Sequence, residues 1–183
     1  LPELPSKGFD RVLVQLQPIQ RSIYEERRQV LIHEVRRTNQ REFARRFPAF
    51  LAQRAELLQI CSHPGVFDSD YAEIPAKLVA LDCLVEDLVG RRGLKVVIWS
   101  FYRHSLSAIA ARYSSFGLVR IDGSVPSAKA REEAIVRFQQ DPAVRVFLGN
   151  PAAAGSGITL TASHDVIYES FSNQSAHYLQ SLD

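Results

Sequence analysis

Leu94-Lys95-Val96-Val97-Ile98-Trp99-Ser100-Phe101 decides how this chain is read. From Leu94 to Trp99 the run is apolar almost without a break, the pattern of a strand buried on both faces rather than one lying half in water. Such strands belong to parallel sheets covered by helices, so helices are expected on either side in sequence. Upstream, Leu78, Leu81, Leu84, Val85 and Leu88 recur at helical spacing and stop at Gly90-Arg91-Arg92-Gly93. Downstream, a helix is expected from about His104 to Tyr113, a strand over Leu118–Ile121 and a helix from about Pro126 to Gln139. Strands over Val144–Leu148 and Asp165–Tyr168 follow. Strands alternating with helices of this length give a three-layer α/β fold with a parallel sheet.

Residues 1–75 have a different character. Val12, Val14 and Leu16 alternate with Leu13, Gln15 and Gln17, which predicts a short strand. Pro18 suits a first helical position, and Ile19, Ile23, Val30, Leu31 and Val35 continue at helical spacing to a break at Thr38-Asn39. A second helix carries Phe43, Phe47, Phe50, Leu51, Leu57 and Leu58, with a bend expected at Pro48. Cys61-Ser62-His63-Pro64-Gly65 ends it, and a polar connector follows. The domain division expected is therefore a helical appendage over 1–75 and an α/β lobe over 76–183.

Composition narrows the class. With 46% apolar and 23% charged residues in 183, the chain can bury a real core, and no apolar run approaches the length that spans a bilayer. The two cysteines, Cys61 and Cys83, make neither a disulfide framework nor a four-ligand zinc site, and the expectation is a reducing, cytoplasmic setting without a metal site. Methionine is absent even at position 1, and the sequence stops abruptly on Leu182-Asp183, so it reads as a piece of a longer protein. The net charge of +2 decides little, but its distribution is uneven. Nine arginines face four glutamates between Arg21 and Arg54, leaving the remainder about three charges negative. That stretch is either a solvated helical surface or a patch facing phosphates, for which the guanidinium fork is well suited.

Ligands of parallel sheets sit beyond the carboxyl ends of the strands. Three segments meet that condition: Ser100-Phe101-Tyr102-Arg103, Asp122-Gly123-Ser124, and Gly149 to Thr161. Ser100 either ends its strand or donates to a phosphate, and Arg103 and His104 are either solvated or face an anion. Asp122-Gly123-Ser124 offers backbone N–H groups to phosphate or forms a turn with Ser124 capping the next helix. Gly155-Ser156-Gly157 is either a structural turn or lets backbone approach a phosphate chain, and it lacks the third glycine and the acidic partner of a dinucleotide site. No G-x-x-x-x-G-K-[ST] loop occurs anywhere. Arg131 either points at the cleft or lies on a solvated helix face, the second being favoured; Trp99 is expected in the core, and Cys61 with His63 in a helix-ending turn. His164 and His177 have no nucleophile beside them.

The ordered set is more informative than any member. Leu94–Phe101, then Arg120-Ile121-Asp122-Gly123-Ser124, then Arg131, Ile135 and Phe138, then Val146-Phe147-Leu148 entering Asn150–Thr161, resembles the C-terminal lobe of the Swi/Snf-type translocases of helicase superfamily two. Leu4-Pro5-Ser6-Lys7, Leu16-Gln17-Pro18-Ile19-Gln20 with Tyr24, and Cys61-Ser62-His63-Pro64 extend the resemblance to the appendage. It implies a RecA-like lobe that closes on an N-terminal lobe holding ATP and Mg²⁺ while both grip duplex DNA. By that resemblance Gly155, Gly157 and Asp183 line the ATP cleft. Ser100, Arg103, Asp122, Gly123, Ser124, Thr159 and Thr161 face DNA, in a cytoplasmic, nucleoid-associated protein. Members carry a Gln followed by Asp-Arg-x-x-Arg, whose arginines reach the γ-phosphate. Gln180 and Asp183 match its start, no catalytic residue falls within the chain, and no ATP turnover is expected of it alone. Ala154 stands where the family has glycine, Thr159 where it has asparagine, and Ser170–Gln174 replaces the Trp-Asn-Pro of chromatin remodellers. These departures look like bacterial or phage-type members. Two other readings stay open: an interaction module that has lost motor function, and a stand-alone nucleotide-binding enzyme.

Overall fold

Among the described residues four strands align side by side in the order β2-β3-β1-β4, every pairing parallel. The structure is a computed structural model describing residues 7–125, 127–154 and 158–171. Strand β1 is Val96–Trp99, β2 Leu118–Ile121, β3 Val146–Gly149 and β4 Asp165–Tyr168. All four residues of β1 and of β3 are buried, as expected of central strands covered on both sides, whereas β2 and β4 are the partly exposed edges.

Alternation along β1 sorts its side chains into two cores. Val96 and Ile98, with Val146 and Leu148 of β3, meet Leu78, Leu81 and Val85 of α3 (Ala76–Val85) and Leu106 and Ile109 of α4 (Arg103–Arg112). Val97 and Trp99, with Val119, Ile121 and Phe147, meet Phe138 of α5 (Ala128–Gln140). The result is a three-layer α/β lobe. Helix α3 runs on into a π-helical turn at Glu86–Arg91 before β1, and a single helical turn, α6 (Pro151–Ala154), follows β3. Two glycines are fixed by geometry. Gly117 has φ of 68°, and a Cβ there would stand 1.9 Å from the Ala143 carbonyl oxygen. A Cβ on Gly149 would meet the Trp99 indole at 2.3 Å.

The appendage is an antiparallel helical hairpin of α1 (Pro18–Arg36) and α2 (Gln40–Ser62). Pro18 occupies the first turn of α1, and Asn39 with Glu42 closes a capping box at the start of α2. Near the tip, Arg46 of α2 donates to the Glu34 carboxylate of α1 at 2.6 Å and Gln53 to the same oxygen at 3.3 Å. At the base, Gln20 is fully buried: its amide donates to the Ile60 carbonyl at 2.8 Å and accepts from the Ala76 N–H at 3.0 Å. One side chain thus joins α1, the end of α2 and the start of α3.

Two expectations need correction. Residues 12–16 form no strand: Val12, Leu13 and Val14 lie exposed without a ladder partner, and alternation cannot hold a strand that has no neighbour. Helix α2 continues past Pro48, which lies at an exposed position where the missing N–H is tolerated. Helix α5 is capped by Ser127, whose hydroxyl accepts from the Ala130 N–H at 3.1 Å, and not by Ser124.

Candidate nucleic-acid interface

At the carboxyl end of β1, Ser100 is fully buried and its hydroxyl donates to the Glu169 carboxylate at 2.8 Å. The next residue, Phe101, donates its N–H to the Ser170 hydroxyl at 2.9 Å and accepts from the Asn150 amide at 3.0 Å. This turn is therefore held on both sides, by the residues that follow β3 and β4. Arg103 and His104, the first residues of α4, stand exposed beyond it. Together with Gln59, Phe101, Tyr102 and Ser107 they line an open groove of about 580 Å³ between the end of α2 and the start of α4. His104 also stacks edge-on against His63, ring centroids 4.3 Å apart. Burial and the neighbouring His104 lower the His63 pKa, against the opposing pull of Glu169.

At the end of β2, Asp122 is buried and organises its own turn. One carboxylate oxygen takes the Arg120 guanidinium through Nε at 2.8 Å and through Nη2. The other accepts the Ser124 N–H at 2.8 Å and the Ser124 hydroxyl. Burial alone would raise the Asp122 pKa, but the bonds from Ser124 and the Arg120 charge more than offset it, and the group titrates below the ordinary carboxylate value. Gly123 and Ser124 are lifted outward, and a Cβ on Gly123 would meet nothing within 4 Å.

The structure thus brings Ser100, Arg103, Asp122, Gly123 and Ser124 to one edge of the sheet, with two roles among them. Ser100 and Asp122 are buried supports whose polar atoms are already engaged; Arg103, Gly123 and Ser124 face outward. Thr159 and Thr161 lie elsewhere. Gln139, in the last turn of α5, donates to the Thr159 carbonyl at 2.8 Å and lies 3.3 Å from the Thr161 hydroxyl. Ser163, two residues on, donates to the carbonyl of Lys95, just before β1 begins. These threonines therefore stand toward the amino edge. Gly155, Gly157 and Asp183 lie outside the described residues. Arg131 is half-buried rather than solvated, and its Nε has no hydrogen-bond partner among the described residues. Cys61 and His63 end α2 as expected, with the His63 Nδ1 accepting from the Gly65 N–H at 3.2 Å.

Sequence reasoning passes over Asn150 and Glu169. Asn150 ties three elements, since its N–H donates to Ile121, its amide to Phe101, and its oxygen accepts from Ala152. The available signal is a polar residue directly after each buried strand, as Ser100 and Asp122 also are. Among the described residues no group of three metal-ligating side chains occurs, and no helix is long and apolar enough to cross a membrane.

A covered parallel sheet with small and polar residues gathered beyond its carboxyl ends defines a three-layer α/β lobe with its ligand edge at those ends. The family profile of the helicase conserved C-terminal domain matches residues 76–183. The chain belongs to that family. Over 110 residues it is 33% identical to the DNA annealing helicase and endonuclease ZRANB3 of Mus musculus, covering 59% of this chain and 10% of that protein. It is 31% identical over 126 residues to the lymphoid-specific helicase of Homo sapiens, covering 61% of this chain and 15% of that one. The chain matches only a small part of either relative. In fold it is similar to the Sulfolobus solfataricus SWI2/SNF2 ATPase C-terminal domain, with a TM-score of 0.72 at 22% identity over 84% of this chain and 68% of that one. The SWI2/SNF2 ATPase core of the same organism in complex with dsDNA gives 0.73 at 21% identity, over 85% of this chain and 33% of that one.

Proposed function

We propose that this chain is the second motor lobe of an ATP-driven translocase on duplex DNA, and that its carboxyl sheet edge holds the phosphate backbone. The observation that carries this reading is the division of labour at that edge. Ser100 and Asp122 are buried and satisfied, so they fix two turns, with Ser124 bound back to Asp122, while Arg103 and the Gly123 backbone are left facing outward. Contacts of this kind, cationic and backbone-based, grip phosphates without reading bases. The names of the relatives, and the solved neighbour in complex with dsDNA, support DNA as the partner.

In the intact protein this lobe closes on an N-terminal lobe of the same chain. That lobe holds ATP and Mg²⁺, and Gly155, Gly157 and Asp183 approach the nucleotide from this side. Thr159 and Thr161 are assigned to seating the loop on α5 rather than to touching DNA. Alone, the chain turns over no ATP.

Titration of a labelled duplex at two salt concentrations tests the interface. Binding is expected to weaken with salt, the logarithm of affinity falling by about 0.9 per contacted phosphate for each log unit. Arg103→Ala is expected to lower that slope by about 1 without changing the melting temperature. Absent or salt-independent binding by the longer protein would instead favour an interaction module.

A further inference from the structure

Beneath the outward-facing edge lies a polar cluster that the proposed function does not use directly. The Glu169 side chain is 1% exposed, immediately after β4. One carboxylate oxygen accepts from the Ser62 hydroxyl of α2, and the other accepts from the Ser100 hydroxyl at the end of β1 at 2.8 Å. The Lys77 ammonium of α3 lies 3.8 Å from the carboxylate and donates to the Glu169 carbonyl at 2.7 Å. Ser105 of α4 donates to Ser62 at 3.0 Å, and Ser170 takes the Phe101 N–H at 2.9 Å. All four serines are buried.

A carboxylate withdrawn from water is costly unless its oxygens are fully occupied, and apolar side chains of similar volume often stabilise a core as well or better. What a satisfied network adds is unique geometry, because each member has one favourable position. Here the members come from α2, α3, β1, α4 and β4. Two of them, Ser62 and Lys77, belong to the appendage and the first helix of the lobe. Two others, Ser100 and Ser170, hold the turn that carries Phe101, Tyr102 and Arg103.

We infer that Glu169 is a positioning residue, a buried latch through which the helical appendage sets the geometry of the Phe101–Arg103 turn. The consequence for DNA rests on the proposed function above; the mechanical coupling does not. A change at Ser62, in the appendage, or at Lys77, in the first helix of the lobe, is transmitted to a turn made by other elements.

The test compares Ser62→Ala and Lys77→Met with a control that costs similar stability elsewhere. Arg112→Ala is such a control, since it removes the ion pair with Asp82 at the far end of α4. Hydrogen exchange at the Phe101 amide and the emission of Trp99, the sole tryptophan, report the turn directly, because the Glu169 N–H donates to the Trp99 carbonyl at 2.9 Å. In Ser62→Ala the Phe101 amide is expected to exchange about tenfold faster, the equivalent of one broken hydrogen bond. Glu169→Gln, which keeps one acceptor, is expected to fall between wild type and Glu169→Ala. Duplex affinity should drop several-fold in Ser62→Ala and stay unchanged in Arg112→Ala. Exchange at Phe101 no faster than in the control would overturn the latch. Faster exchange with no duplex binding even by wild type would leave the latch standing and sink the DNA reading.

Discussion

His63 shows how a single residue ends a helix and acquires a pH dependence in doing so. Its backbone N–H closes α2 onto Gln59, its Nδ1 accepts from Gly65, and its ring meets His104 on one side and Tyr71 on another, with centroids 4.3 and 6.2 Å away. Burial and His104 lower its pKa from the ordinary 6.5. A histidine held below its unfolded value supports the fold while neutral, and that support is lost as pH falls, because the unfolded chain takes the proton first. Wild type is therefore expected to lose stability between about pH 7 and pH 5. His63→Asn, which keeps an acceptor for Gly65, should lose less over the same window. Urea melts at pH 7.5 and 5.5 would show this, and parallel losses in the two proteins would refute it. Asp122, also held below its ordinary 3.8, adds a separate acid limb lower down. In sequence His63 is readable as a helix end, since Pro64 and Gly65 follow it; its partner His104 comes from another element and leaves no local trace.

Elements are legible in proportion to how much of their pattern is local. The apolar run at 94–99 identifies a central strand because burial on both faces leaves no room for polar residues, although pairing begins only at Val96. The capping box at Asn39 is visible as a break. The expected strand at 12–16 fails because pairing is a property of two segments and sequence shows one. Likewise the place of Thr159 and Thr161 depends on Gln139, twenty residues or more away. The appendage hairpin poses the remaining question at this scale. Around its tip Arg36, Arg37, Arg41 and Arg45 are all exposed, while the nearby Glu42 carboxylate is engaged in the cap. A tip of this charge suits contact with a polyanion. Replacing Arg37, Arg41 and Arg45 by glutamine should lower the salt slope of duplex binding by up to about 3, roughly 0.9 for each phosphate no longer neutralised. Helicity should be unchanged, since glutamine is a good helix former. An unaltered slope would make the tip a solvated surface and nothing more.

For the whole molecule, the distribution of chemistry matters more than any one group. Every feature assigned to DNA is a positioned donor or a support for one, and the sequence holds no lysine-bearing phosphate loop. Phosphoryl transfer depends on a metal-bound phosphate chain, an oriented nucleophile and a cation at the developing charge, and a lobe that supplies only part of this set cannot lower the barrier by itself. A parallel sheet with a fixed edge is instead suited to carrying backbone contacts toward and away from a second lobe as a nucleotide between them changes. The expected result follows from that division. The 183-residue chain mixed with Mg²⁺, ATP and duplex DNA should release no phosphate above the protein-free rate. A longer form that includes the proposed N-terminal lobe should hydrolyse ATP faster when duplex is added. In that longer form Arg103→Ala should raise the duplex concentration needed for half-maximal stimulation several-fold and leave the rate at saturating duplex nearly unchanged, because a grip on phosphate contributes binding rather than chemistry. A fall in the saturated rate with no change in the duplex requirement would place Arg103 at the nucleotide instead, and the sheet edge would lose its assignment as the DNA grip.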